Sequence, residues 1–182
     1  MEYEVIRSSR RTLAVQVKNS KVIVRSPFSA TQAQIERFVC DNAAWIEKTL
    51  KKSKEAQKSA LSAGLLTPEE IDALKEKAAE IIPIRAAYYA RKIGVEYGKI
   101  TIRCQKTRWG SCSGKKNLNF NCLLMLTPPE VLDGVIVHEL CHLKEMNHSQ
   151  RFYALVRAAY PEYDVSNRWL KVHGREIIAR LP

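Results

Sequence analysis

The sequence lacks long apolar runs: its longest uninterrupted apolar stretches, 86–90 and 122–126, are five residues each. A membrane-spanning helix needs about 20 such residues, so we expect no membrane span. The opening Met-Glu-Tyr-Glu lacks the basic and apolar segments of a signal peptide, and we expect a protein that is not secreted. Glycine and proline number seven each among 182 residues, and no low-complexity tract or repeat is present, which excludes fibrous, solenoid and disordered classes.

Cysteine is also scarce. The chain has five cysteines, an odd number, and none of them forms a CxxC pair. This pattern excludes a secreted disulfide scaffold and a cysteine zinc knuckle. We therefore expect reduced thiols and a cytoplasmic location. We interpret Cys112, in the segment Trp-Gly-Ser-Cys, as a packed small side chain rather than a reactive thiol.

Acidic residues are fewer than basic residues. Thirty Lys and Arg against 19 Asp and Glu give a formal charge of +11, and the excess lies in residues 1–60 and 101–182. Such a charge can attract nucleotides, nucleic acids or acidic proteins without distinguishing among them, and no signature of a nucleic-acid-binding module accompanies it. The densest basic patch consists of Lys51, Lys52, Lys54 and Lys58.

The apolar periodicity predicts an α+β protein. Alternation over residues 13–24 predicts an N-terminal β-hairpin, and a long helix is expected from Thr31 to Leu50. Residues 51–63 are rich in Lys, Ser and Ala and read as exposed helix or linker ending at Gly64. We therefore divide the chain into an N-terminal region, 1–63, and a hydrolase domain, 64–182.

The second region is predicted to combine helices with a short antiparallel sheet. Residues 99–104 and 117–122 read as strands that flank a loop. A strand 117–122 at the sheet edge could pair with an extended peptide. Helix starts are expected at Thr67 and Thr127, each in a capping box, and at Ser149 and Glu162.

The motif that carries chemistry lies in the helix expected after Thr127. His138 and His142 are four residues apart, so their imidazoles lie on one face of that helix. Glu139 follows His138 directly and can reach a metal-bound water without ligating the metal. This HExxH arrangement predicts one zinc ion with two histidine ligands and a general base.

A catalytic zinc site needs a third protein ligand. His148 stands ten residues after His138, the spacing of the metzincin pattern, although Glu145 replaces the glycine of that pattern. The alternative is Glu162, twenty residues after His142, which a glutamate-type zincin would use. We favour His148, because three of the four histidines of the chain fall within eleven residues.

The predicted reaction is hydrolysis. Zinc lowers the pKa of its bound water towards about 7, and Glu139 removes the proton of that water as it attacks a carbonyl or phosphoryl centre. Arg108 is our first choice for stabilising the developing negative charge, with Tyr153 and His173 as further candidates.

The motif segments together resemble a known family. Its characteristic stretches are 107–112, 117–121, 135–142 and 147–152, and the segments 10–13 and 45–46 extend the likeness to the N-terminus. The chain resembles the YgjP-like metallopeptidases, relatives of the SprT and WLM zinc peptidases. The resemblance implies a zinc-dependent hydrolase of zincin-like fold, with His138, His142 and His148 as ligands and Glu139 as the catalytic residue.

Three functions remain open from the sequence. The favoured one is a zinc metallopeptidase that acts on protein or peptide substrates. The alternatives are a metal-dependent hydrolase of nucleotides or phosphoanhydrides, suggested by the +11 charge, and a nucleic-acid-associated protease of the SprT kind. A purely structural zinc site is disfavoured, because such a site closes with a fourth protein ligand.

Overall fold

A computed structural model describes residues 2–18 and 20–182, with Ala60 described by its backbone alone. The chain forms two compact units, Met1–Ala63 and Gly64–Pro182. In the described part of the chain, no helix combines the length and apolar character that a bilayer span requires.

The first unit is built on a three-stranded sheet. Its strands are β1 (Glu4–Ser8), β2 (Ala14–Lys18) and β3 (Lys21–Pro27), in the order β1-β3-β2. The predicted hairpin is the antiparallel pair β2 and β3, and Asn19 between these strands lies outside the described residues. β1 pairs parallel to β3, which the sequence did not predict.

The helix predicted from Thr31 to Leu50 is two helices, α1 (Gln32–Asp41) and α2 (Ala43–Ala63). Thr31 caps α1 as expected. The chain breaks at Asn42, whose side-chain amide donates to the Phe38 carbonyl at 2.8 Å and so competes with the helical backbone. The core of this unit consists of Val22, Val24, Ile35, Val39 and Ile46.

Four α-helices make up most of the second unit, together with a short 3₁₀ turn at Cys122–Leu126. They are α3 (Pro68–Ile93), α4 (Pro129–Cys141), α5 (Gln150–Ala159) and α6 (Tyr163–Ala179). The capping box at Thr67 and the cap at Ser149 are confirmed. The capping box at Thr127 is wrong, because the Thr127 hydroxyl donates to the Leu124 carbonyl at 2.8 Å and closes the 3₁₀ turn instead.

A second three-stranded sheet lies beside α4. Its strands are β4 (Ile100–Arg103), β5 (Gly110–Cys112) and β6 (Leu118–Asn121), in the order β4-β6-β5. β4 is parallel to β6 and β5 is antiparallel to it, so the expectation of a purely antiparallel sheet is wrong. β6 is central, so the expectation that the strand 117–122 lies at the sheet edge is wrong. The edge strand that contacts α4 is β5, which lies inside the predicted loop.

The α+β class and the small sheet beside the HExxH helix are confirmed. α4 is buried along most of its length, with Ile136, Val137, Leu140 and Cys141 fully enclosed. Phe120 from β6 and Phe152 from α5 belong to the same core. Packing on several sides therefore fixes the position and rotation of the helix that carries the histidines.

Candidate metal centre

Three histidines converge at the end of α4. His138 lies in the last turn of the helix, and His142 is its C-terminal cap residue, still in helical conformation with φ −62° and ψ −18°. His148 follows a short turn and precedes α5. One ring nitrogen of each histidine lies within 4.8 Å of the other two, and Nε2 of His138 and Nε2 of His148 are 2.9 Å apart.

His138 and His142 each have a hydrogen-bond partner at Nδ1, the ring nitrogen that points away from the cluster. Nδ1 of His142 is 3.1 Å from the Glu145 carbonyl, which can only accept, so Nδ1 carries the hydrogen and Nε2 has a free lone pair. Nδ1 of His138 is 2.8 Å from Oη of Tyr163 on α6. Both rings are thus held with Nε2 available at the centre of the cluster.

Phe152 packs against all three imidazoles. Its ring centroid lies 4.9 Å from that of His138, 4.5 Å from that of His142 and 4.9 Å from that of His148. Phe152 is fully buried and is placed by the Ser149 cap at the start of α5. An apolar residue at this point excludes water from one side of the histidines and limits their movement.

The surroundings of His138 and His142 favour the neutral imidazole. Burial, followed by the neighbouring His142 and His148, lowers the pKa of His138 to about 4. Burial also lowers the pKa of His142. The neutral imidazole is the form that binds a metal ion. Three neutral imidazoles are a donor set that suits zinc, and the cluster therefore fits the ion that the sequence predicts.

The alternative ligand Glu162 and the candidate charge-stabilising residue His173 lie outside the histidine cluster. Glu162 is exposed and is the N-cap residue of α6, where its side chain makes no capping hydrogen bond. His173 packs on Trp169, with 4.7 Å between ring centroids, and its Nδ1 is 3.9 Å from Glu176. Cys141 is buried in the core, where burial raises the pKa of its thiol to about 11.

Glu139 is buried, with 6% of its surface exposed. Burial raises the pKa of its carboxyl to about 8, and the positive charge of Arg108 opposes this rise. A bound cation nearby would likewise favour the carboxylate form. Glu139 thus has the environment of a group whose protonation changes near neutral pH.

β5 passes directly against Glu139. A Cβ placed on Gly110 would lie 2.7 Å from both Cγ and Oε1 of Glu139, a distance that real Cβ atoms do not show. Only glycine lets the strand approach this closely. The Cys112 thiol is in the same strand, and burial followed by the charge of Glu139 raises its pKa, as expected for a packed rather than a reactive cysteine.

Arg108 lies on the exposed loop that leads into β5. The buried Asn121 holds this loop, since its side-chain amide donates to the carbonyls of Gln105 at 2.7 Å and Arg108 at 3.0 Å. Within the described part of the chain, no carboxylate forms an ion pair with Arg108. Tyr153, the other candidate, lies at the rim, with 6.1 Å between its ring centroid and that of His148.

The sequence reasoning missed three residues of this centre. Phe152 read only as an apolar position of its helix and Gly110 only as part of a loop, and Tyr163 was not singled out. Their contacts join segments that are distant along the chain, so no local spacing indicated them.

A family model described as a YgjP-like metallopeptidase domain matches residues 11–73 and 66–173. The chain belongs to the YgjP-like metallopeptidase family. The resemblance noted from the sequence is thereby confirmed, and as a member of this family the protein is a metal-dependent hydrolase of the peptidase class.

Two solved structures are similar to part of this YgjP-like protein. The metallopeptidase zymogen abylysin of Pyrococcus abyssi is 21% identical with a TM-score of 0.45, covering 50% of this chain and 93% of its own. The zymogen jannalysin of Methanocaldococcus jannaschii is 25% identical with a TM-score of 0.44, covering 52% and 95%. No curated protein matches the chain.

Proposed function

We propose that this YgjP-like protein is a zinc metallopeptidase in which His138, His142 and His148 hold one zinc ion and Glu139 is the general base. The observation that carries the proposal is the convergence of three imidazoles beside a buried glutamate. This is the set of ligands and base that metal-assisted hydrolysis requires.

When bound, zinc polarises a carbonyl oxygen and makes water a nucleophile near neutral pH. The protein's own part is to position groups and move protons. The carboxylate of Glu139 accepts a proton from the attacking water and passes it to the leaving amine. A bound cation would favour the carboxylate form that accepts this proton.

Arg108 is proposed to act through charge. Its guanidinium opposes the effect of burial on Glu139, and its exposed loop leaves it free to approach a substrate. A positive group at this place can stabilise negative charge that develops on the carbonyl oxygen. Tyr163 is less suited to that role, because its hydroxyl is already paired with His138.

The free edge of β5 supports an extended peptide as the substrate. Trp109 O accepts from Asn121 N, and Ser113 N donates to Asn117 O, so these odd-numbered residues face β6. In an antiparallel ladder the alternate residues, Gly110 and Cys112, then point their N–H and C=O groups away from β6. A substrate chain paired along this edge passes Glu139, which Gly110 contacts.

Phosphoanhydride hydrolysis is the weaker candidate. A nucleotide would need several Lys or Arg side chains converging on the metal, and no Lys or Arg lines the described pocket beside His138 and Glu139. We therefore place the peptidase above the phosphohydrolase.

We also propose that residues 64–182 are the hydrolase domain and that the protein works in the cytoplasm. Every residue assigned to the metal centre lies in the unit Gly64–Pro182. All five cysteines are free, as expected in a reducing compartment.

The test compares the zinc-loaded wild type with Glu139→Gln at equal metal content. Unfolded protein and nucleoside triphosphates are offered in parallel, and Glu130→Gln, an exposed position on the same helix, is the matched control. We expect peptide cleavage to fall by about 100-fold or more in Glu139→Gln and to be unchanged in Glu130→Gln.

Cleavage that survives Glu139→Gln would overturn the assignment of the general base. Phosphate release by the wild type that is lost in Glu139→Gln, without peptide cleavage, would overturn the peptidase and establish the phosphohydrolase.

A further inference from the structure

A pocket opens beside the proposed reaction centre. It lies between α4, α6 and the start of β5, and it spans about 510 Å³, including its opening to solvent. His138 and Glu139 form part of its lining, so anything seated in it lies next to the bond under attack.

Much of the pocket wall is apolar. Val131 and Val135 from α4, Leu170 from α6 and the ring of Trp109 line it. The Trp109 ring packs closely against Gly174 of α6, since a Cβ added to Gly174 would lie 3.1 Å from the ring. The wall is thus a preformed apolar surface.

Two of the polar groups that border the pocket have partners already, and the amide of Asn167 also lines it. The Ser166 hydroxyl donates to the Glu130 carbonyl at 3.0 Å, and the Tyr163 hydroxyl pairs with His138. Among the described residues that line the pocket, Glu139 is the one charged side chain. A charged side chain seated away from Glu139 would lose water without gaining an oppositely charged partner.

Gly134 sets the depth of the pocket. A Cβ at Gly134 would lie 3.0 Å from Cβ of Ser166, so the absence of a side chain there lets α4 and α6 approach closely. The two helices therefore close the inner end.

We propose that this pocket binds a large apolar side chain, of the Leu, Ile, Met or Phe kind, on the substrate residue that flanks the scissile peptide bond. The inference rests on the proposed peptidase function and names its substrate class: chains with an apolar residue next to the cleaved bond. Binding of that side chain positions the carbonyl of the scissile peptide bond beside Glu139 and the histidine cluster.

The first experiment uses the zinc-loaded full-length protein and a peptide series in which one residue at a time, on either side of the cleaved bond, is Leu, Phe, Asp or Lys. We expect one flanking position at which Leu or Phe exceeds Asp and Lys by about 100-fold in kcat/KM, because the pocket desolvates its occupant.

The pocket variant is Leu170→Lys, and its matched control is Val172→Lys. Val172 lies on the same helix, is 61% exposed and does not line the pocket. Leu170→Lys should reduce the preference for Leu over Asp by about 10-fold or more, since the ammonium group attracts the acidic side chain. Val172→Lys should leave the preference unchanged. Far-UV circular dichroism confirms that both variants are folded.

A second readout needs no metal and no turnover. In the metal-free protein, methyl resonances of Val131, Val135 and Leu170 are followed by NMR during titration with N-acetyl-leucine amide, N-acetyl-aspartate amide and N-acetyl-lysine amide. We expect these methyl groups to shift with the leucine probe alone.

The outcomes separate the inference from the proposed function. Equal cleavage rates for all four residues would contradict the proposed apolar binding site but not the peptidase. The same holds for a preference that changes equally in Leu170→Lys and Val172→Lys. Absence of all peptide cleavage overturns the peptidase, and the NMR titration then decides the pocket. Leucine-selective shifts support an apolar binding site, and equal or absent shifts overturn it.

Discussion

Oη of Tyr163 lies 2.8 Å from Nδ1 of His138, a residue 25 positions earlier in the chain. The two rings are nearly parallel, at 20° and 5.9 Å between centroids. Through this contact α6 holds the first histidine of the HExxH motif with Nε2 towards His148. The last helix of the fold is therefore part of the metal centre without supplying a ligand.

Tyr163→Phe should lower zinc affinity by about 10- to 100-fold, because it removes the hydroxyl that orients His138 and keeps the ring. Competition with a chromophoric zinc chelator measures the dissociation constant. Tyr153→Phe, at the rim of the same cluster, is the control and should bind zinc as the wild type does. Equal affinities in the two variants would show that the hydroxyl does not orient the ligand.

His148→Ala should lose stoichiometric zinc, because two histidines alone form half of a tetrahedral shell. His173→Ala and Glu162→Gln should each retain one zinc ion per chain, since neither side chain belongs to the histidine cluster. Metal content after dialysis, measured by plasma mass spectrometry, distinguishes the cases. Zinc lost from Glu162→Gln and kept by His148→Ala would reverse the choice of the third ligand.

Gly110→Ala should reduce peptidase activity by about 10-fold or more while zinc content stays at one ion. The new Cβ would lie 2.7 Å from Glu139, so the carboxylate must move away from its place beside the histidines. Gly114→Ala is the matched control, because no atom lies within 4 Å of its added Cβ. Metal content and kcat/KM are measured on the same samples, and full activity in Gly110→Ala would contradict the proposed placement of Glu139.

Asp133→Asn should lower the free energy of unfolding by about 2 kcal/mol, because it neutralises a buried carboxylate whose guanidinium partner is partly screened by solvent. The Asp133 carboxylate is 7% exposed, accepts two hydrogen bonds from the Arg85 guanidinium, and accepts a third from the Tyr89 hydroxyl at 2.9 Å. These contacts tie α4 to α3. Urea denaturation measures the change, and Asp72→Asn, in an exposed pair with Lys75, should leave the free energy of unfolding nearly unchanged. Equal losses in the two variants would exclude a structural role for the pair of Asp133 with Arg85.

The sequence predicts those parts of the structure that depend on neighbouring residues. Thr67 and Ser149 cap their helices because each hydroxyl bonds a backbone N–H three residues later. The approach of His138 to His142 follows from helical spacing, which places residues four apart on one face.

The remaining features depend on contacts between distant segments. β5 is three residues long and contains Gly110, so its strand character comes from pairing with β6 and not from its own composition. The parallel pairing of β4 with β6 likewise has no local signal. Thr127 had two possible partners for its hydroxyl, the helix that follows and the 3₁₀ turn that precedes it, and only the folded chain shows which one it takes.

The shortness of β5 has a consequence for self-association. A sheet edge that can pair with an extended substrate can also pair with a second copy of the protein, and long open edges promote aggregation. β5 offers only Gly110 and Cys112 to such a partner, too few for a stable intermolecular ladder. Exposed positive residues, Arg108, Lys115 and Lys116, border the strand on both sides and repel another copy. The edge can thus remain open to a peptide that is also seated beside Glu139 without becoming a template for aggregation.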